Sequence, residues 1–128
     1  MRSVVAGLAL LFVSAGCSDP PLSLANIQVG RSLNPDRSVA SITNLFKANE
    51  TIYVAVHTVA AGAGVVGVQW KYGTRVIDEP TKQVSYDGPA ATEFHMQNSG
   101  GFPPGDYSVE VFLNGVSVGK RVFKVGER

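Results

Sequence analysis

The sequence predicts an all-β protein, a single antiparallel β-sandwich of about seven strands. The chain has 128 residues, the size of one domain, with 14 glycines, 7 prolines and only 16% charged residues. This composition favours strands and turns over long helices. Several segments alternate apolar and polar side chains with period two. Turn-forming residues separate these segments at regular intervals, which is typical of a two-sheet sandwich.

Strand-forming residues follow one another in eight segments, of which two, around Pro80, are short and weaker. The second segment is apolar on both faces, as expected of a central strand. In the third, Val66, Val68 and Trp70 share one face, so we expect Trp70 in the core. The segments are residues 26–30, 51–59, 65–72, 74–77, 82–86, 91–97, 106–113 and 116–125.

The long stretch between the first two strands, residues 31–49, is rich in turn residues. Asn34-Pro35-Asp36 interrupts any regular structure. Val39, Ile42 and Phe46 are expected to pack there, and a short helical turn fits their spacing.

The last two strands form the best-defined hairpin. Asn114-Gly115 between them is a strong turn signal, because both residues tolerate the positive φ of a type I′ turn. Val116 and Val118 have the opposite parity to Phe123 and Val125. We therefore expect a β-bulge at Gly119 that resets the register.

The amino terminus has the pattern of a signal peptide. Arg2 precedes an apolar run, residues 4–13, and small residues lead to Cys17. The run is too short to span a bilayer, which takes about 20 residues. Cys17 is the only cysteine, which excludes an intrachain disulfide and a cysteine-rich zinc site.

Residues 13–17, Val-Ser-Ala-Gly-Cys, resemble the lipobox of bacterial lipoproteins. The resemblance implies cleavage before Cys17 and acylation of this residue, which would anchor the protein in a membrane of the cell envelope. Ser18 follows the cysteine, which in this family implies the outer membrane, although Asp19 keeps inner-membrane retention open. The predicted organisation is a signal peptide at 1–16, a lipidated terminus with a short extended tether at 17–25, and a domain at 26–126. An ordinary secretory peptide is the alternative.

A second resemblance concerns the domain. Trp70 on the third strand is similar to the core tryptophan of immunoglobulin-like domains, and Asp106-Tyr107-Ser108-Val109 resembles their motif before the second cysteine. The resemblance implies an Ig-like or fibronectin type III-like sandwich without a disulfide. Tyr107 would then be the tyrosine-corner residue. The pattern names a fold that serves many functions.

Charge and motifs argue against several functions. The net charge is +1, and without Arg2 the mature chain has 10 positive and 10 negative residues, so no footprint for nucleic acid is present. Gly115-Val116-Ser117-Val118-Gly119 matches Gly-x-Ser-x-Gly, but it lies in a predicted hairpin with no helix after it and is therefore not a nucleophile elbow. The sequence has no calcium loop or phosphate-binding loop. We therefore expect a non-enzymatic protein without a cofactor.

Two small sets of residues are candidates for a site. His57, His95 and Glu93 are expected on one exposed sheet face, where they could hold a metal ion, although two unrelated surface histidines are the favoured interpretation. Tyr53 and Phe112 lie opposite the core parity and could form a binding patch. Coverage by loops is the favoured alternative for this pair. Two further aromatic residues in or beside loops are Phe102 and Tyr86.

The last strand carries Lys120, Arg121 and Lys124. Positive side chains on an edge strand discourage accidental pairing, which is the favoured role. The same edge could instead accept a strand from an acidic partner. The leading functional expectation is a membrane-anchored module that binds another envelope protein or is structural. A small-ligand, carbohydrate or metal-binding accessory lipoprotein is the alternative.

Overall fold

The computed structural model describes residues 20–126 and places them in two facing β-sheets. One sheet has the order β1-β3-β7. The other has the order β2-β9-β8-β4, with β5 and β6 following one another along the outer edge of β4. Residues 20–126 include no helix long and apolar enough to cross a bilayer. The strands are β1 (Leu24–Gly30), β2 (Leu45–Phe46), β3 (Ile52–Thr58), β4 (Gly62–Tyr72), β5 (Arg75–Asp78), β6 (Thr81–Tyr86), β7 (Ala90–Met96), β8 (Gly105–Leu113) and β9 (Val116–Val125).

The core lies between the sheets and is formed by alternate residues of each strand. Trp70 is fully buried, directly opposite Val109 of the neighbouring strand β8. Val54 and Val56 of β3, in the facing sheet, belong to the same cluster and are also fully buried. This is the position that the Ig-like resemblance implies for the tryptophan, and the predicted fold class is confirmed. The described strands number nine, one more than the eight predicted segments, because the two-residue β2 lies in the stretch expected to form turns.

The tyrosine corner is also confirmed. Tyr107, at the start of β8, is buried, and its hydroxyl donates to the Pro103 carbonyl oxygen at 2.6 Å. Burial raises the pKa of the Tyr107 phenol, so the hydroxyl stays protonated as a donor. The ring stacks on Phe123 with centroids 5.5 Å apart. The contact fixes the loop that enters β8.

The final hairpin has the predicted geometry. Asn114 and Gly115 both have positive φ, 52° and 81°, as a type I′ turn requires. The register shifts between Val111, which pairs with Gly119, and Phe112, which pairs with Ser117. The extra residue of the bulge therefore precedes Gly119.

Residues 31–44 form turns and isolated bridges, as their turn-rich sequence predicts, and the short helical turn considered for residues 39–46 is absent from them. Val39 and Phe46 are buried, whereas Ile42 is 65% exposed. This segment lies against the outer face of the three-stranded sheet. A Cβ at Gly30 would lie 2.1 Å from the Ser41 carbonyl oxygen, so only glycine permits this approach.

The segment before β1 is not a free tether. The Pro20 carbonyl accepts from the Ala63 amide at 3.1 Å, and the Ser23 carbonyl accepts from the Val59 amide at 3.0 Å. Leu22 is 7% exposed and belongs to the core cluster. Residues 20–23 of the predicted tether are therefore docked on the domain, with their main chain bonded to the β3–β4 turn and the start of β4 and the Leu22 side chain in the core.

On each side of the sandwich, a basic side chain of the larger sheet binds an edge strand of the smaller sheet. Arg121 of β9 donates from Nε to the Ile27 carbonyl of β1 at 3.2 Å. Lys82 of β6 donates from Nζ to the Glu93 carbonyl of β7 at 2.5 Å. Each of these hydrogen bonds occupies a carbonyl group that points away from the smaller sheet at one of its edge strands, β1 or β7. These edges are thereby protected at those positions against pairing with another chain.

Candidate functional site

The predicted histidine set does not converge. His95 Nδ1 lies 2.5 Å from Glu93 Oε2. His57 shares their sheet face, but it pairs with Ala91, four residues along β7 from His95. Its Nε2 lies 2.7 Å from the Gln28 side-chain oxygen. Residues 20–126 contain no group of three histidine, cysteine or acidic side chains that could hold a metal ion.

The predicted aromatic pair is divided between the two sheets. Tyr53 lies on the outer face of the three-stranded sheet, half-buried against His95 with ring centroids 5.4 Å apart. Phe112 lies half-buried on the outer face of the other sheet, opposite Gly67. They therefore do not form one patch. Phe102 is buried, and the Tyr86 hydroxyl lies 2.7 Å from a buried threonine hydroxyl.

The three basic residues of β9 also separate into two groups. Lys120 and Lys124 alternate with Val122 on the outer face, and all three are exposed. Arg121 has the opposite parity and reaches across to β1, where it also contacts the Asn26 side chain at 3.3 Å. Its guanidinium is thus engaged within the domain. Lys120 and Lys124 are the basic residues of β9 whose side chains lie on its exposed outer face.

A groove of about 570 Å³ lies beside Lys124, between β2 and the second half of β9. We call it the β9 groove. Val122 and Leu45 on its rim are 66% and 55% exposed. Apolar side chains exposed together in this way are typical of an interaction site. The groove is lined by Asn44, Leu45, Asp106, Tyr107, Val122, Phe123 and Lys124.

The main chain of β9 is open at the centre of this groove. The Lys124 amide donates away from β8, to the residue before β2, at 2.9 Å. Val122 has the same parity, so its peptide groups also point away from β8. β2 pairs only with Lys124 and the residue after it. On the other side, the Lys120 carbonyl accepts from Arg121 Nη1 at 3.1 Å. The open stretch is therefore short and centred on Val122.

Ion pairs support the groove and modify its charge. Lys124 Nζ lies 3.2 Å from Asp106, but both side chains are at least 70% exposed. Such a pair contributes at most about 1 kcal/mol, and a competing carboxylate can displace it. Behind β2, Arg31 donates to the Leu45 carbonyl at 2.9 Å and pairs with Glu50 at 2.9 Å.

The charge of Glu50 helps to fix the position of β2 through Arg31. Partial burial raises the pKa of Glu50, but the hydrogen bond from the Lys47 amide and the Arg31 guanidinium outweigh it and hold this pKa below 4.5. Glu50 is therefore ionised at neutral pH. It holds Arg31 in place to fix β2, which forms one wall of the groove.

A second concavity, of about 410 Å³, was not predicted from the sequence. We call it the distal cleft. It lies where β4 turns into β5, beside the end of β7 and the loop before β8. Buried Met96, Phe102 and Tyr107 line it, and the exposed lining carries a guanidinium, a carboxylate, an imidazole and two amides. These polar residues are Arg75, Asp78, His95, Gln97 and Asn98.

The distal cleft could not be found from sequence patterns, because its residues come from four separate segments. Two residues of its lining are singled out by the sequence as site candidates, His95 at the end of β7 and Phe102 in the loop before β8. The predicted lipidation residue, Cys17, lies outside the described residues, three positions before Pro20.

No protein-family model matches the chain. Among solved structures, it is similar to part of the alkylpurine DNA glycosylase AlkC from Pseudomonas fluorescens, with 18% identity and a TM-score of 0.48 over 80% of this chain and 31% of that one. It is also similar to part of a β-glucosidase from Listeria innocua, with 13% identity and a TM-score of 0.48 over 82% and 16%. A CARDB domain from Pyrococcus furiosus, in complex with di-metal ions, aligns at 11% identity and a TM-score of 0.41 over 87% and 95%. The chain thus spans less than a third of the two enzymes.

Proposed function

We propose that the protein is a non-enzymatic lipoprotein of the bacterial cell envelope, anchored through Cys17, and that its Ig-like domain binds a partner protein at the β9 groove. The observation that carries the binding role is the open main chain at Val122. Exposed lysines stand on both sides of it, and an exposed apolar wall lies beside it. A strand edge of this kind is a site for β-strand addition.

The chemistry of the groove specifies the partner segment. The main chain of an added segment can pair at Val122 alone, because β2 occupies the edge at Lys124 and Arg121 binds the Lys120 carbonyl. Its side chains on one face recur every second residue, as do the side chains of Lys120, Val122 and Lys124. The matching segment is extended and has the pattern acidic-x-apolar-x-acidic. Its carboxylates meet the lysines, and its apolar side chain packs on Val122 and Leu45. Pairing of two β9 edges would be disfavoured because it brings lysines together.

Two variants separate strand addition from a purely protective edge. Val122→Pro removes an N–H that points away from β8, so it removes no bond of the β8–β9 ladder, and proline is tolerated at such edge positions. Val122→Thr keeps the N–H and is the matched control. Lys120→Glu with Lys124→Glu reverses the charge while keeping a charged edge.

The assay places a photo-crosslinking residue at position 44, where the exposed Asn44 lines the groove, in intact membranes. We expect one protein adduct that is lost with Val122→Pro and with the double charge reversal, retained with Val122→Thr, and weakened by salt. A crosslinker at Val76 on the β5 edge, 42% exposed, is the positional control. Adducts insensitive to proline, charge reversal and salt would eliminate the β9 groove as the partner site.

The lipid anchor has its own test. Cys17→Ala removes the only thiol that could receive a diacylglyceryl group. We expect this variant to leave the membrane fraction, whereas Ser18→Ala, which keeps the cysteine, stays membrane-bound. Retention of Cys17→Ala in the membrane after a carbonate wash would contradict the lipoprotein assignment.

A small-ligand role is the second candidate, favoured by the distal cleft. Its volume is within the range of ligand sites, about 300–1,000 Å³. The polar groups carry both charges and planar amides, which suits a neutral polyhydroxylated ligand such as a sugar. Titration of the chain with cellobiose and diacetylchitobiose, followed by amide chemical shifts, should then move residues 97–104 and not β9. Unchanged shifts in residues 97–104 would remove this candidate.

A further inference from the structure

One end of the sandwich is almost free of charge. We call it the proximal end, formed by the turns at residues 59–61, 87–89 and 114–115 together with residues 20–23. Asp87 is the only charged residue in these four segments. Alanine, glycine, proline and valine make up most of the rest. Val59, at 47%, and Val116, beside the last turn at 64%, are exposed.

The opposite end has a different surface. The turns there carry or adjoin Lys47, Arg75, Asp78, Asp106 and Lys124, all of them exposed. The charges of the domain are therefore concentrated towards the distal end and the flanks. On one flank of the proximal end, Asp36 lines a concavity with His57 and Val59.

The chain enters the domain at the proximal end. Ser23 is hydrogen-bonded to Val59 of the β3–β4 turn and Pro20 to Ala63 at the start of β4, and a Cβ at Gly62 would lie 3.0 Å from the Pro21 carbonyl oxygen. Three peptide steps separate Cys17 from Pro20, a reach of at most about 11 Å. β8, nine residues long, extends for about 30 Å. An anchor at Cys17 thus holds this end, and not the distal end, close to a bilayer.

We propose that the proximal end is a lipid-contacting surface that rests on the phospholipid bilayer and holds the domain upright, with the distal cleft directed away from the membrane. This proposal rests on the lipid anchor of the proposed function. The absence of charge in three of the four segments means that few ions lose water when this end meets the interface. The exposed valines gain apolar burial at the headgroup boundary. The distal end carries exposed charges, which would lose water on contact with the interface.

Two valines of β9 provide a matched measurement. Val116 and Val122 are on the same strand and are 64% and 66% exposed, but they are about 20 Å apart along it. Because acylation consumes Cys17, Val116→Cys and Val122→Cys each introduce a single free thiol for an environment-sensitive fluorophore. Ala61→Cys and Ser99→Cys form a second pair, at the proximal and distal turns.

The labelled proteins, isolated with their native acyl groups, are incorporated into vesicles of phosphatidylethanolamine and phosphatidylglycerol that contain a headgroup spin-labelled lipid. We expect a blue shift and loss of fluorescence at positions 116 and 61, and neither at 122 and 99. A Val59→Glu change should reduce the quenching at 116, because it places a charge at the interface.

The outcomes separate this inference from the anchor. Equal quenching within both pairs, in protein that floats with the vesicles, would overturn the upright orientation and leave the anchor intact. Stronger quenching at 122 and 99 would overturn it in favour of contact through the distal end. Protein that does not float would overturn the lipoprotein assignment and the orientation together.

Discussion

Truncation of Trp70 tests the central packing of the sandwich. Trp70→Ala removes a fully buried indole that lies opposite Val109 and contacts Phe123 edge-on, with centroids 6.2 Å apart. Removal of a large buried aromatic side chain costs about 3–5 kcal/mol, through lost transfer free energy and the cavity left behind. Domains of this size have only about 5–15 kcal/mol of stability in total. The variant should therefore be severely destabilised.

The indole N–H also lowers the stability of the fold, a penalty that a phenylalanine ring would remove. Within residues 20–126, Trp70 Nε1 is buried and has no hydrogen-bond partner. An unsatisfied buried donor costs about 1–3 kcal/mol. Trp70→Phe loses part of the packing but also removes this N–H, so we expect it to cost less than half as much as Trp70→Ala.

Urea unfolding followed by circular dichroism measures both variants, since Trp70 is the only tryptophan and its fluorescence is lost. A loss of about 4 kcal/mol corresponds to a midpoint decrease of about 2 M for a typical urea dependence. Val76→Ala, at an exposed position, should change stability by less than about 0.5 kcal/mol. A Trp70→Ala midpoint within about 0.5 M of the parent would refute the assigned core, because that corresponds to about 1 kcal/mol.

Three further changes test the tyrosine corner at Tyr107, the Glu50 ion pair that supports β2, and the close approach of Ser41 to Gly30. Tyr107→Phe removes the hydroxyl bonded to the Pro103 carbonyl and should lower the unfolding free energy by about 1 kcal/mol, with more exchange of amides in residues 98–105. Because the folded-state pKa of Glu50 is lowered, its contribution is fully present above pH 4.5 and is lost as the pH falls through the folded value. Glu50→Gln should therefore destabilise at pH 7 and have little effect at pH 2.5 in thermal melts, and an equal effect at both would refute the ion pair. Gly30→Ala should melt well below Gly101→Ala, a glycine whose Cβ would meet nothing closer than 3.6 Å, although its positive φ also carries strain.

Local patterns in the sequence were sufficient to predict where the longer strands lie and which of their residues face the core. Period-two alternation identified the buried face of β4 and β8, and hence the burial of Trp70, because side-chain direction in a strand depends only on parity. Asn114-Gly115 specified its turn, since the required positive φ is a property of the two residues themselves. Tyr107 was recognised through a short motif, and its corner hydrogen bond spans only four residues.

The sites depended on contacts between distant residues, which no local pattern contains. Arg121 has the same charge as Lys120 and Lys124, yet it binds β1, 94 residues away, because its parity points it towards the other sheet. Leu22 belongs to the core only because the β3–β4 turn accepts the main chain around it. The β9 groove exists because two residues of β2 cover the end of β9 and leave Val122 open. Sequence alone determined which residues of a strand face the core and where the chain turns. Tertiary structure decided which basic side chains remain exposed and which strand edge stays unpaired, because both depend on which strands become neighbours.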